Sequence, residues 1–169
     1  MRSYVNRGTY VKRGETRTKR KSTRLSSKYV SSMLKPIENG QQDQVIIKGR
    51  LTGLNEYVSA ERSNRFKAAS IKREMEEVIT LCLAEACQKG TLHSHTKPCE
   101  LWITWVEENH RRDLDNISFA TKFIQDAMVR AGVFPDDSTK FIRLIHHTVA
   151  FDPKNPRIEI TIRERKEHD

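Results

Sequence analysis

Two stretches of helical periodicity, each ended by a glycine, constrain this chain more than any other feature. From about Phe66 to Lys89 the apolar positions Ile71, Met75, Val78, Ile79, Leu83 and Ala86 recur at the spacing of one helix face. Gly90 stops that pattern. Over residues 116–131 a second stripe is made by Ile117, Ala120, Ile124, Ala127, Met128 and Ala131, and Gly132 suits the left-handed position just past a helix end. Between the two, Leu101 to Val106 is almost continuously apolar, as in a central strand covered on both faces. Val45-Ile46-Ile47 reads as a short strand ahead of the first helix, and Leu51 to Asn64 reads as a loop. Phe141 to Phe151 is a long β-like run, and 157–163 alternates with Ile158, Ile160 and Ile162 on one face. The order β, α, β, α, β, β predicts a single small α+β domain, a mixed sheet packed against two main helices.

Charge divides the chain further. Of a net charge of +9, the whole surplus falls in residues 1–40, which hold eleven Lys/Arg against two Asp/Glu, while the remainder balances at twenty of each. Residues 1–43 are rich in Ser, Thr, Lys and Arg and are expected to form a mostly disordered basic arm, leaving residues 44–169 as the domain. The arm reads either as a solvated tail or as a nucleic-acid contact. A neutral body carrying such an arm leaves its own acids free to act locally. No run approaches the roughly 18 apolar residues of a membrane span, and no apolar stretch follows the N-terminal basic residues as a secretory signal would require. Three cysteines at irregular spacing give no disulfide framework, so a reduced cytoplasm is the expected setting.

The chemistry concentrates in Arg111-Arg112-Asp113-Leu114-Asp115-Asn116, between the central strand and the second helix. Aspartates two apart in extended chain point to one side, with Cα atoms ~6.6 Å apart. Both carboxylates can then converge on one hard cation with oxygens at ~2.0–2.1 Å. Two such acids together are unfavourable unless a cation or a basic group compensates them. Asp115-Asn116 has a plainer reading as a helix cap. An EF-hand is excluded, because the sixth position from Asp113 is Ser118 and the twelfth is Ile124. On an unbroken helix Lys122 and Asp126 return to within about 20° of the direction of Asp115. A lysine there can hold a phosphate or stabilise transition-state charge, or it can simply pair with Asp126 at i,i+4. A second acid pair, Asp136-Asp137, follows the helix in a Pro-led turn.

Taken together, Asp113-x-Asp115-Asn116, Lys122-x-x-x-Asp126-Ala127 and Gly132-Val-Phe-Pro-Asp136-Asp137 resemble the signature of RusA-type Holliday junction resolvases of phages and prophages. The resemblance spans roughly residues 45–163. It implies a RusA-like fold and an endodeoxyribonuclease that resolves four-way junctions by symmetric hydrolysis, with Mg²⁺ as cofactor and Mn²⁺ able to substitute. It assigns the metal to Asp113, Asp115 and Asp137, and a role in cutting to Lys122. Asn116, Asp126 and Asp136 would support them. The family lysine sits nearer the acid motif, so this chain departs by what look like three inserted residues. Gly49-Arg50 to Tyr57 and Arg62-Ser-Asn64-Arg65-Phe-Lys67 resemble the opening strand and DNA-facing loop of phage members, giving Arg62, Arg65, Lys67 and Lys72 as DNA contacts, with Arg111 and Arg112 beside the acids. The two equal cuts of a junction imply a homodimer.

Other signals point elsewhere. Cys82, Cys87, His93, His95 and Cys99 lack the spacing of a zinc site; Cys82 reads as a small core residue. His147 falls with Phe141, Ile145 and Val149 on a core face, opposite His146. No P-loop or dinucleotide fingerprint is present. Two rival readings remain: a non-catalytic basic DNA-binding protein, and a nuclease for another branched or RNA-containing substrate.

Overall fold

The structure is a computed structural model describing residues 26–38 and 41–165. In chain order its elements are α1 (Ser27–Met33), β1 (Asp43–Lys48), α2 (Leu54–Ser63), α3 (Arg65–Gln88), β2 (Cys99–Glu107), α4 (Leu114–Ser118), α5 (Thr121–Ala131), β3 (Ile142–Phe151) and β4 (Arg157–Glu164). The strands form one mixed sheet in the order β1-β4-β2-β3. β4 runs antiparallel to both β1 and β2, whereas β2 and β3 are parallel. A parallel pair needs a long crossover, and here α4 and α5 supply it. The α+β architecture read from the sequence is the one observed.

Alternation decides which sheet face is covered. Val45 and Ile47, Leu101, Ile103 and Trp105, and Ile158, Ile160 and Ile162 are buried together with Met75, Ile79 and Leu83 of α3 and Ile124 and Met128 of α5. The other face carries the exposed Ile46, Trp102 and Leu144. So β2, expected to be covered on both faces, is covered on one. Trp102 takes its shelter locally, stacked on His146 at 3.6 Å between ring centroids and under the Arg163 guanidinium.

Three boundaries differ from the sequence reading. Residues 54–63 form α2 rather than a loop. Its pattern was faint because it buries only Ala60, and it is held by α3 and α4. The single helix expected over 116–131 is two, α4 and α5, joined by a tight turn in which Ala120 N–H bonds Ile117 C=O and Lys122 N–H bonds Phe119 C=O. Bonds of that i→i+3 kind wind at about three residues per turn, so the angular count from Asp115 to Lys122 does not hold as drawn. Ordered chain also begins well before residue 44. Val30, Met33 and Leu34 share one side of α1, and Val30 is buried where α1 meets α3 and α5. Gly132, at φ 81, ends α5 as expected, and a Cβ there would lie 3.1 Å from Ser31 Oγ of the α1 helix. The disorder expected of the remaining arm, residues 1–25, lies outside the described residues.

Candidate active site

β2 ends at Glu107, and the chain returns through 108–113 to start α4. Asp113 occupies the N-cap position with extended backbone (φ −74, ψ 156), yet its side chain makes no capping hydrogen bond. Asp113 and Asp115, in the first turn, are both exposed. Asn116 is engaged differently: its Oδ1 accepts the backbone N–H of Asn55 at 3.0 Å and so ties α4 to the start of α2.

The far acid loop reaches Lys122 on α5. Lys122 Nζ lies 2.8 Å from Asp126 Oδ1 and 2.8 Å from Asp137 Oδ2. The i,i+4 pairing with Asp126 read from the sequence is therefore present, and the same ammonium fastens the loop after α5 to the beginning of α5. Asp126 and then Asp137 raise the Lys122 ammonium well above the usual lysine range, and the hydrogen bond from Lys122 holds the Asp137 carboxyl below the ordinary carboxylate value. Asp136 turns away: its Oδ1 accepts the Ser138 N–H at 2.7 Å and shapes the turn. Of that acid pair, the second member faces Lys122.

The cationic residues divide into two groups. Arg62, Arg65 and Lys67 are exposed around the α2–α3 corner, with the Arg65 guanidinium 5.1 Å from the Phe66 ring centre. Lys72 reaches back to Glu76 and Asp126 at 3.8 and 3.9 Å, which brings it beside the Lys122 cluster. Arg111 is exposed. Arg112 is not: it points inward to Glu107 Oε1 at 3.2 Å and to Leu51 C=O at 3.2 Å. Burial lowers its guanidinium from the ordinary value against the opposing pull of Glu107. Sequence reasoning missed Glu107, buried at the end of β2. The available signal was an acid closing an apolar strand six residues before Asp113.

Asp113, Asp115 and Asp137 offer hard oxygen donors, the chemistry a small divalent cation prefers. Their geometry here is open. Among the described residues no three His, Cys, Asp or Glu side chains gather closely enough to hold an ion, and Asp137 is turned onto Lys122.

The histidines and cysteines have other partners. His93 Nδ1 and His95 Nε2 lie 2.7 and 3.0 Å from the two oxygens of the buried Asp43. Asp43 is the last residue of the expected arm and the first of β1. Burial raises its carboxyl, but the hydrogen bonds from His95 and His93 reverse this and leave it lowered. Cys82, Cys87 and Cys99 are all free thiols, with burial pushing Cys99 to about 12 and Cys87 to about 11. His147 Nδ1 accepts the Trp105 indole N–H at 3.1 Å at the edge of the core.

No curated protein sequence matches the chain. A family model described as endodeoxyribonuclease RusA matches residues 39–163. Nucleases of that family resolve Holliday junctions and depend on a divalent metal. The match runs from just before β1 to the end of β4, takes in both acid motifs and covers well over half the chain, so the protein belongs to the RusA family of junction-resolving endodeoxyribonucleases.

Proposed function

We propose that the cofactor is Mg²⁺, with Mn²⁺ able to replace it, and that Asp113, Asp115 and Asp137 hold it. The supporting observation is the Lys122 bridge, which joins the Asp137 loop to the helical segment opened by Asp113 and Asp115. When bound, the cation would supply an activated water and neutralise charge on the phosphodiester. The chain's own residues do the rest. Asp137, now paired with Lys122, would be one of the residues holding the cation. Lys122, oriented by Asp126, would then be available to neutralise charge developing on phosphate oxygen. Asn116 fixes the acid-bearing turn through Asn55, and Asp136 holds the shape of the loop that presents Asp137.

Arg62, Arg65, Lys67 and Arg111 would contact backbone phosphates, with Lys72 joining them near Asp126. The basic N-terminal segment adds a sequence-independent hold on DNA. A homodimer acting in the cytoplasm would place two such sites for paired, symmetric cuts, since a two-fold partner matches a junction's two equivalent strands.

The test is incubation of purified protein with labelled four-way junction and matched duplex, with and without Mg²⁺. Paired cuts in the junction alone, dependent on metal, are expected. Metal-independent binding without cutting would return the protein to a DNA-binding role, and preferential cutting of flaps or RNA-containing branches would change the substrate. Light scattering should give a dimer at micromolar concentration; monomer alone, with and without junction, would remove the paired-site arrangement.

A further inference from the structure

The acid-bearing turn is gripped at two points by one short segment. Arg112 donates through Nη2 to Leu51 C=O at 3.2 Å, and Asn116 Oδ1 accepts from Asn55 N–H at 3.0 Å. Residues 51–55 therefore hold both flanks of the stretch that contains Asp113 and Asp115. Between the two grips sits Gly53, where an added Cβ would stand 2.6 Å from Asn116 Oδ1 and 2.8 Å from Arg112 Nη2. Such an approach leaves no room for a side chain. Behind Arg112, Glu107 receives Nη1 on both carboxylate oxygens at 3.2 and 3.4 Å, and Arg50 Nη1 stands 3.6 Å from Glu107 Oε2. Glu107 is 4% exposed and ends β2, so its carboxylate is fixed by the sheet itself.

Arg112 sits at a bend with its side chain drawn inward, while its neighbours Arg111 and Asp113 are both exposed. Buried ion pairs are weak sources of stability, because desolvation offsets their attraction. A cluster of this kind at the root of an acid motif therefore calls for a reason other than folding energy.

We propose that Glu107 is a positioning residue for the metal-binding turn, holding Arg112 inward so that Asp113 and Asp115 present their carboxylates together. This rests on the reading that those two acids hold the cation. Glu107 itself touches neither metal nor DNA. It sets the aim of residues that do, as supporting partners of metal ligands do elsewhere at a tenfold to hundredfold effect on affinity.

The experiment is calorimetric titration of the full chain with Mn²⁺ without DNA, beside junction binding in EDTA and a melting curve for each variant. Glu107→Gln and Arg112→Lys are the probes. Arg112→Lys keeps a cation on Glu107 and so keeps the fold, but it cannot reach Glu107 and Leu51 C=O together; it decides the matter alone if Glu107→Gln does not fold. Both should weaken Mn²⁺ about tenfold or more while junction affinity in EDTA stays within about twofold. Unchanged Mn²⁺ affinity in folded variants would overturn the proposal and leave the cluster purely structural. Loss of junction binding by Arg112→Lys with Mn²⁺ binding intact would also overturn it, making Arg112 a DNA contact. The double variant Asp113→Asn/Asp115→Asn separates the two layers. If it binds Mn²⁺ like the parent, the metal assignment fails. If it loses Mn²⁺ while Glu107→Gln and Arg112→Lys do not, only the positioning role fails.

Discussion

The acids around Asp43 and those from Asp113 to Asp137 are built on opposite rules. Near the start of β2, Asp43 is shut in with His93 and His95, both carboxylate oxygens engaged and its side chain 1% exposed. Past the end of β2, Asp113 and Asp115 stand in solvent, and on α5 Lys122 pairs with Asp126 and Asp137 at an open surface. The first cluster has no oxygen left for a ligand. The second has acids in excess of nearby bases and an exposed lysine shared between two of them. Burial turns the same residue types into a fastening in one place and into available chemistry in the other.

The most severe test removes single charges from the open cluster. Asp113→Asn, Asp115→Asn and Asp137→Asn should each slow single-turnover cutting of a mobile four-way junction about a thousandfold or more, several kcal/mol of lost metal-based stabilisation at ~1.36 kcal/mol per tenfold. Melting temperatures should hardly move. Junction binding in Ca²⁺ should persist or tighten as repulsion between acids and phosphates is relieved. Asp136→Asn should cut normally, since its Oδ1 can still accept from Ser138 N–H. A dead Asp136→Asn with an active Asp137→Asn would shift the assignment by one residue, and four active variants would dissolve the contrast between the clusters.

Asp43→Ala should do the reverse. Removing one partner from a buried charged network costs about 3 kcal/mol or more, read as a lower urea midpoint, while the folded fraction still cuts at the parental rate. A silent Asp43→Ala would mean the buried cluster fastens nothing. Lys122→Ala comes next, slowing cleavage about a hundredfold, the scale of one missing transition-state donor. Mn²⁺ affinity should hold or rise, because Asp137 is released. Normal cutting would leave Lys122 as a surface ion pair only.

The pH response is smaller and is read at the buried cluster. Because the Asp43 carboxyl is lowered in the folded chain, its contribution to stability is complete above the ordinary Asp value of about 3.9 and is lost as pH falls through the folded value. Denaturant midpoints should thus drop below about pH 4 more steeply in the parent than in Asp43→Ala; parallel curves would refute the linkage. The smallest effect concerns residues 1–25, with nine Lys/Arg and one Glu. Their deletion should flatten the dependence of log K on log salt by about 0.9 for each phosphate the segment neutralises, equally for duplex and junction. Unchanged slopes would mean that the segment does not bind phosphate. Deleting to residue 43 would be misleading, since it also removes α1 and Asp43.

The contrast also explains what could be read in advance. The sheet, α3 and the acid motifs were legible because they rest on local periodicity and short spacing, such as Ile158, Ile160 and Ile162 or Asp113 and Asp115. That Asp137 approaches Lys122 was not legible as geometry: it depends on how a loop folds back, and no spacing encodes that. The break between α4 and α5 was hidden by an apolar stripe that continues through it. Val30, Met33 and Leu34 did carry a helical spacing, but basic and hydroxylated neighbours masked it. Arg112 shows the sharpest limit. Next to two acids an arginine looks like a phosphate ligand, and only the buried Glu107, five residues away in sequence, draws it inward.

The strand order carries one more consequence, in the sequence of events by which the chain folds. β4 is the latest of the described strands, yet it lies between β1 and β2. Until it inserts, β1 has no partner in the sheet, and β2 with β3 is a parallel pair lacking its central neighbour. Joining strands more than a hundred residues apart requires closing a large loop before any contact rewards it, a step that is slow in chains of this topology. Asp113 and Asp115 stand on a turn rooted in β2, so the acids are assembled late. A copy whose β4 has not yet paired would carry the acid-bearing turn on an unfinished sheet, with no competent site to cut DNA.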